Sequence, residues 1–158
     1  MALDDVRRVV EDLPDPELPV VTLGDLGIVR GVTLADGRVL VTLTPTYSGC
    51  PATEVIARDV RRAVEQLGLQ AEVTTVLSPA GTTDWITERG LQALRENGIA
   101  PPAQGPVSVQ LGQRTPAPAC PRCVSASTEE VSRFGPTACT ALWRCRDCGE
   151  PFDHVRPL

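Results

Sequence analysis

Lysine is absent from this sequence of 158 residues, in which all 15 basic residues are arginine. Without a lysine amine the chain cannot perform Schiff-base chemistry, and it cannot carry the phosphate-binding lysine of a Walker-type loop. Histidine is nearly as scarce, because His154 is the single one. That scarcity excludes a histidine-rich metal centre. We expect His154 to lie at the surface.

Long apolar stretches are also missing. No run reaches about 18 apolar residues, the length that suggests a membrane span. The acidic start, Met1-Ala-Leu-Asp-Asp, lacks the basic and apolar regions of a signal peptide. We therefore predict a cytoplasmic protein with no membrane partner, whose six cysteines serve metal or thiol chemistry rather than disulfides. The net charge of −5 argues against a nucleic-acid partner.

The spacing of apolar residues predicts a small α/β (α+β) sandwich. Aromatic residues make up only 3% of the chain, so the core must consist mainly of Val, Leu, Ile and Ala. A hairpin is expected at Asp36-Gly37, because this pair readily adopts positive φ. The order α-β-β-α-β-α then gives a mixed sheet. The predicted elements are a helix at 2–12, strands at 28–34, 39–44 and 71–77, a helix from Pro51 to Gly68, and a helix capped by Thr83 that ends at Asn97-Gly98.

Composition divides the chain into three segments. Residues 1–99 hold the predicted sandwich, and residues 120–158 form a second unit. Residues 100–119 between them include five prolines among polar residues, which is typical of a semi-rigid linker. Within this linker, Val107–Leu111 is a candidate edge strand.

Four cysteines near the end of the chain predict a zinc ribbon. Cys120-Pro-Arg-Cys123 and Cys145-Arg-Asp-Cys148 each supply two thiolates from a tight turn, and four thiolates suit a closed tetrahedral Zn²⁺ site. A segment of 39 residues is too small to fold by apolar burial alone. An iron–sulfur cluster on the same sulfurs and a dithiol redox pair are the alternatives. Cys139 is left over, and we interpret it as a small, half-buried residue of the ribbon.

A fifth cysteine, Cys50, follows a strand and stands directly before Pro51. Proline is tolerated at the first helical position, so Cys50 is predicted at or next to the N-cap of the following helix. There the helix dipole and the unpaired N–H groups favour the thiolate. Two interpretations stay open from these residues alone: a cysteine that merely caps a helix, and a reactive thiol or soft-metal ligand.

Several short motifs along the chain form a recognisable set. They are Asp15-Pro-Glu-Leu-Pro-Val, Asp25-Leu-Gly-Ile, Thr42-Leu-Thr, Tyr47-Ser-Gly-Cys-Pro-Ala, Thr82-Thr-Asp-Trp-Ile, Gly98-Ile-Ala-Pro-Pro and Glu150-Pro-Phe-Asp. With these motifs the first domain resembles bacterial SufT and the eukaryotic cytosolic iron–sulfur targeting factors, and the whole chain is similar to the PaaD (PaaJ) accessory proteins of phenylacetyl-CoA epoxidase gene clusters. One position departs from the pattern, since Gly81 stands where that family usually has an aromatic residue.

The resemblance implies a non-catalytic factor of phenylacetate degradation that assembles or delivers an iron–sulfur centre. The client would be the 2Fe–2S reductase component of the epoxidase, a multicomponent monooxygenase. Cys50 would be the functional thiol, transiently binding iron or a cluster, supported by a loop with Asp15, Glu17, Thr44 and Ser48. Because a single thiolate cannot hold a cluster alone, a second copy of the chain, a small thiol or the client must share it.

Three other functions are weighed against delivery. A structural adaptor would hold the oxygenase components together without transferring metal, and Cys50 would then only cap a helix. A ribbon-based nucleic-acid binder would need a basic cluster, which the sequence lacks. A thiol oxidoreductase would need a resolving cysteine near Cys50 in space, for which Cys139 is the candidate.

Overall fold

The computed structural model describes residues 2–106 and 116–158, so the candidate strand at Val107–Leu111 lies outside the described residues. Contacts divide the chain into two compact units, Met1–Gly90 and Leu91–Leu158, while the three predicted segment limits stay a prediction. The helices are α1 (Leu3–Glu11), α2 (Thr53–Gln66), a 3₁₀ helix (Thr83–Trp85) and α3 (Glu88–Glu96). The strands are β1 (Val29–Ala35), β2 (Arg38–Leu43), β3 (Gln70–Thr75), β4 (Ile99–Ala100), β5 (Thr128–Ser132), β6 (Thr140–Cys145) and β7 (Pro151–Val155).

The first unit contains the predicted mixed sheet. Strand β2 lies in the middle, antiparallel to β1 and parallel to β3. Asp36 and Gly37 join β1 to β2 with φ angles of 49° and 74°, as a tight hairpin requires. Helix α2 connects β2 to β3, because parallel neighbours need a long crossover. The predicted fold class is confirmed.

Apolar faces of two helices and the sheet form the core of this unit. Helix α2 packs on β3, and α1 contacts both β1 and α2. Each fully buried Val, Leu or Ile side chain stabilises the fold by about 1.5–3 kcal/mol relative to its exposed state. The buried side chains that these elements supply are Val6, Val10, Val39, Val41, Leu43, Ile56, Val60 and Val64.

The prediction of one continuous helix capped by Thr83 was wrong. Thr82 is the capping residue, since its hydroxyl oxygen accepts a hydrogen bond from the Asp84 N–H at 3.2 Å. The helix that it caps is a single 3₁₀ turn, which Ile86 ends with extended backbone (ψ 126°). Helix α3 begins only at Glu88. The interruption arises because Thr87 is tied to a distant part of the chain.

Asp25 is the residue that ties it. Its carbonyl oxygen accepts the Thr87 N–H at 2.8 Å. Its carboxylate, only 5% exposed, accepts from the Thr87 hydroxyl at 3.1 Å and from Arg89 Nε at 2.7 Å. The Thr22 N–H donates to the other carboxylate oxygen at 3.1 Å. A single buried carboxylate thus joins the loop before β1 to the start of α3.

The pKa of the Asp25 carboxyl reflects these contacts. Burial raises the pKa, but the hydrogen bonds from Arg89, Thr22 and Thr87 outweigh burial and hold it below its ordinary value. The carboxylate is therefore charged in the folded protein at neutral pH. The stabilisation that Asp25 gives to the fold depends on that charge.

The second unit is built on a four-stranded sheet in the order β4-β7-β6-β5. Strands β5, β6 and β7 are antiparallel, and the short β4 pairs in parallel with β7. Its buried cluster is small, and two of its members are cysteines of the Cys-x-x-Cys turns. The cluster consists of Ala100, Cys120, Ala141, Trp143, Cys145 and Phe152.

The prediction of a surface position for His154 was wrong. The side chain is 4% exposed and lies edge-on to Trp143, with the ring centroids 5.9 Å apart. Burial lowers the pKa of His154 to about 4, against the effect of a hydrogen bond with the Pro101 backbone. The residue points inward because side chains alternate along β7, which places His154 on the same face as the buried Phe152. The imidazole is neutral at physiological pH.

Within the described part of the chain, no helix combines the length and the apolar character that crossing a membrane would require.

We predict that Asp25→Asn lowers the free energy of unfolding of the first unit by about 1–3 kcal/mol, because hydrogen bonds to a charged group are lost. Below its ordinary pKa of about 3.9, Asp25 is increasingly protonated even when unfolded. Because the folded pKa is lower, the wild type keeps this stabilisation above that pH and loses it as the pH falls through the folded pKa. The Asn variant should lack this pH dependence.

Urea unfolding followed through Trp85 fluorescence, in a Trp143→Phe background, measures the difference. Asp59→Asn is the matched control, since Asp59 forms only a surface ion pair with Arg58 at 3.7 Å. The control should lose less than about 0.5 kcal/mol. Equal losses in the two variants would contradict the role assigned to Asp25.

Candidate functional site

The cysteines of the two Cys-x-x-Cys turns lie around one point. Their four sulfur atoms are all within 4.8 Å of one another. Cys120 Sγ is 3.8 Å from Cys148 Sγ, and Cys123 Sγ is 3.5 Å from Cys145 Sγ. Tetrahedral metal–sulfur bonds of about 2.3 Å require sulfur–sulfur distances of about 3.8 Å. These side chains therefore form a four-cysteine metal-binding cluster.

The two turns share one backbone design. In the first, the Val124 N–H donates to the Cys120 carbonyl oxygen at 2.9 Å, and in the second the Gly149 N–H donates to the Cys145 carbonyl oxygen at 3.1 Å. Each turn buries its first cysteine and leaves its second exposed. The metal-binding cluster is thus closed on the side of the sheet and accessible on the other side.

Backbone donors prepare one of the sulfurs for metal binding. The Cys148 N–H, 3.5 Å from Cys145 Sγ, lowers the pKa of Cys145 to about 7, with the Asp147 N–H helping and burial opposing. The thiolate is the form that binds metal. Between the turns, the Ser125 hydroxyl donates a hydrogen bond to the Asp147 carboxylate. That bond links the two halves of the cluster directly.

Cys50 lies farther from its helix than predicted. Helix α2 begins at Thr53 with Ala52 as its N-cap, so Cys50 precedes the cap by two residues. Its carbonyl oxygen accepts from the Thr53 hydroxyl at 2.9 Å and from the Thr53 N–H at 3.3 Å. Pro51 and Ala52 form a turn before the helix rather than its first residues. The side chain of Cys50 is half-buried.

The predicted supporting residues differ in their surroundings. Thr44 is buried, and its N–H donates to the Ile28 carbonyl oxygen at 2.8 Å, whereas Ser48 is exposed. Asp15 is 7% exposed, and its Oδ1 accepts from the backbone N–H groups of Glu17 at 2.9 Å and of Leu18 at 2.8 Å. This carboxylate therefore orders its own loop. Its relation to Cys50 stays a prediction.

Burial, and then the nearby Asp15 carboxylate, raise the pKa of Glu17. Two carboxyl groups thus lie close together in a loop stiffened by proline. Neighbouring carboxylates can attract a cation through their negative charge, and such pairs also occur in proteins in other roles. That Asp15 and Glu17 support the site of Cys50 stays a prediction.

Gly81 is a residue of this site whose role the sequence analysis missed. A Cβ atom at this position would overlap the carbonyl oxygen of Pro45 and come within 2.8 Å of the Thr46 Cα. The backbone at Gly81 therefore packs directly on the segment that leads to Cys50. The sequence did carry a signal of this close packing, since glycine replaces the aromatic residue that is usual at this position.

Tyr47 contacts the same segment. Its ring lies over Gly49, at about 3.1 Å from where a Cβ would be. The Tyr47 carbonyl oxygen accepts the Cys50 N–H at 3.1 Å. The turn that carries the thiol is thus held by backbone packing, by a ring and by a hydrogen bond.

Comparison with known proteins identifies both parts of the chain. Residues 3–77 match the family described as "Iron-sulfur cluster assembly protein", and residues 104–156 match the "PaaD zinc beta ribbon domain". An Escherichia coli (strain K12) protein is 44% identical over 153 residues, which cover 96% of this chain and 91% of that protein. The chain belongs to the PaaD family. The Escherichia coli member is named as a putative component of 1,2-phenylacetyl-CoA epoxidase.

Two further relatives correspond to the first part of this PaaD family member. An "Fe-S protein maturation auxiliary factor" of Porphyromonas gingivalis is 35% identical over 96 residues, or 58% of this chain and 89% of that protein. The crystal structure of a "Domain of Unknown Function DUF59" from Bacillus anthracis has a TM-score of 0.54 at 27% identity, covering 58% of this chain and 90% of that one. The family descriptions connect residues 3–77 with iron–sulfur cluster assembly and residues 104–156 with a zinc ribbon.

Removing the metal should unfold the second unit selectively. We predict one zinc per chain, and a strong chelator should abolish the hydrogen-exchange protection of β5, β6 and β7, because the small buried cluster of that unit cannot fold without the metal. Peptides of β2 and α2 should keep their protection. Metal analysis that finds no zinc, or retained protection in β6 after the metal is stripped, would contradict the prediction.

A side chain at Gly81 should disturb the turn that carries Cys50. We predict that Gly81→Ala increases the rate of Cys50 alkylation at neutral pH by about fivefold or more, since displacing Pro45 and Thr46 releases a half-buried thiol whose reactivity depends on access. Peptide mapping of samples taken over time measures the rate at each cysteine.

Two glycine variants provide the controls. At Gly31, a Cβ would meet only the Thr42 side chain at 3.7 Å, so Gly31→Ala should leave the rate unchanged. At Gly24, a Cβ would lie 2.9 Å from the Glu11 Cβ, so Gly24→Ala should also destabilise the first unit. Because Gly24 and Glu11 are far from the Cys50 turn in the sequence, this variant measures the effect of destabilisation alone. If Gly24→Ala accelerates Cys50 alkylation as much as Gly81→Ala does, the effect of Gly81 is one of stability and not of positioning.

Proposed function

We propose that this chain is a non-catalytic factor that assembles or delivers the iron–sulfur centre of a phenylacetyl-CoA epoxidase. The client is its 2Fe–2S reductase component, and the pathway is aerobic phenylacetate degradation in the cytoplasm. The observation that carries the proposal is Cys50, a half-buried thiol on the strand-to-helix turn of the iron–sulfur assembly domain. The similarity to a protein named as an epoxidase component supports the choice of client.

The two cysteine sites take different roles in this proposal. The four-cysteine cluster holds a structural Zn²⁺, because four thiolates complete the tetrahedral coordination and leave no position for exchange with a client. Cys50 is a single donor, so a metal or cluster bound there must be completed by other ligands. An incomplete ligand set is suited to transfer, because the receiving protein can replace the remaining ligands one after another.

The remaining ligands come from outside the first unit's turn. A second copy of the chain, a small thiol such as glutathione, or a cysteine of the reductase can each supply sulfur to a cluster shared with Cys50. A dimer or a transient complex with the client is therefore part of the mechanism. Asp15 and Glu17 support the same step through the negative charge of their loop, which favours iron cations.

Replacing the thiol should abolish delivery without unfolding the protein. Cys50→Ala removes one sulfur from a half-buried site, which should cost about 1 kcal/mol. We expect the reductase purified from cells with this variant to lack iron–sulfur absorbance, while the oxygenase component still assembles. Cys139→Ala is the matched control, since Cys139 is also half-buried and lies outside the four-cysteine cluster; that variant should deliver normally.

The charge variants test the supporting loop in the same assay. In Asp15→Asn, the remaining amide oxygen can still accept the two backbone N–H bonds, so the variant removes charge while keeping the loop. Asp15→Asn and Glu17→Gln should each weaken delivery less than Cys50→Ala does. A reductase that retains its full cluster and turnover in the Cys50→Ala strain would favour the structural adaptor function instead.

A further inference from the structure

The residue that follows each Cys-x-x-Cys turn has the same backbone conformation in both turns. Val124 has φ 63° and Gly149 has φ 79°, both in the left-handed region. Each N–H donates back to the carbonyl oxygen of the first cysteine of its own turn. The positive φ then turns the chain back, so that the carbonyl oxygen of the next residue accepts the N–H of the first cysteine, from Cys120 to Ser125 and from Cys145 to Glu150, at 2.9 Å in each turn. Valine and glycine, however, differ in how well they tolerate this left-handed conformation.

Glycine adopts positive φ without steric cost, whereas a β-branched residue there crowds its own backbone. At Gly149 a Cβ would meet nothing within 4 Å, so the surroundings do not demand glycine. At Val124 the side chain is 79% exposed and gains little from burial. The first turn therefore carries a conformational cost that the second does not, and packing does not offset it.

We propose that Val124 weakens metal binding by the first turn, so that Cys120 and Cys123 are the ligands that the metal leaves first. The second unit relies on metal to fold, so the cost at Val124 is absent without metal and is subtracted from the binding free energy. When a chelator removes the metal, the bonds from the metal to these two sulfurs are replaced by bonds from the metal to the nitrogen or oxygen donors of the chelator. The sulfurs depart as thiolates and take protons from water, with no redox change.

The affinity test exchanges the residues of the two turns in the full chain. We expect Val124→Gly and Val124→Asn to lower the Kd for Zn²⁺ by roughly three- to tenfold, because both residues tolerate positive φ, and the greater flexibility of unfolded glycine reduces the gain. Gly149→Val should raise the Kd. Val124→Ile, which keeps the β-branch, should leave it unchanged. Competition with a chromophoric chelator measures each value.

A second measurement follows the order of release in the wild type. Cys123 and Cys148 are both exposed and both stand second in their turns, so a thiol reagent has similar access to them. During slow zinc removal, peptide mapping should find Cys123 alkylated before Cys148. In Val124→Gly this order should be lost.

The inference is overturned if Val124→Gly leaves the Kd within about twofold of the wild type, or if Cys148 reacts before Cys123. If Gly149→Val fails to fold with zinc, the Kd values of the Val124 variants and the order of alkylation still test the proposal. None of these measurements uses the client, so their results test the role of Val124 independently of the proposed delivery function.

Discussion

The convergence of four cysteine sulfurs on one metal-binding point is the constraint on which the C-terminal unit depends. Its sheet buries only a few apolar side chains, and two of the buried residues are cysteines of the cluster. So small a core does not repay the entropy of ordering the chain. We expect metal coordination to supply the missing free energy, so that folding and metal binding are one event. On that expectation, strain within either turn lowers the metal affinity directly.

The N-terminal unit is stabilised in a different way. Amphipathic helices cover a mixed sheet rich in Val and Leu, and the buried Asp25 carboxylate connects the loop before β1 with the start of α3. The carboxylate accepts three hydrogen bonds, and such pairing is the condition under which a buried charge contributes to stability. A rigid unit of this kind can present a single thiol on a turn without unfolding when that thiol is used.

The two cysteine sites are chemically complementary. The four-cysteine cluster offers a complete tetrahedral set, and such sites hold metal for structure. In the proposed function, Cys50 offers one sulfur on an ordered turn, packed by Gly81 and Tyr47, and a partner supplies the remaining coordination. A delivery factor needs both properties. The metal that stabilises the fold must stay on the protein, whereas the metal that is delivered must pass to the client.

Features that depend on neighbouring residues could be predicted from the sequence. The Asp36-Gly37 hairpin, the amphipathic helices, the order of elements and the two Cys-x-x-Cys turns follow from turn chemistry and periodicity, which short segments encode. Features that arise from residues far apart became visible in the folded chain alone. These are the interruption before α3 imposed by Asp25, the burial of His154 against Trp143, and the close approach of Gly81 to Pro45, because each depends on which distant segments the fold brings into contact.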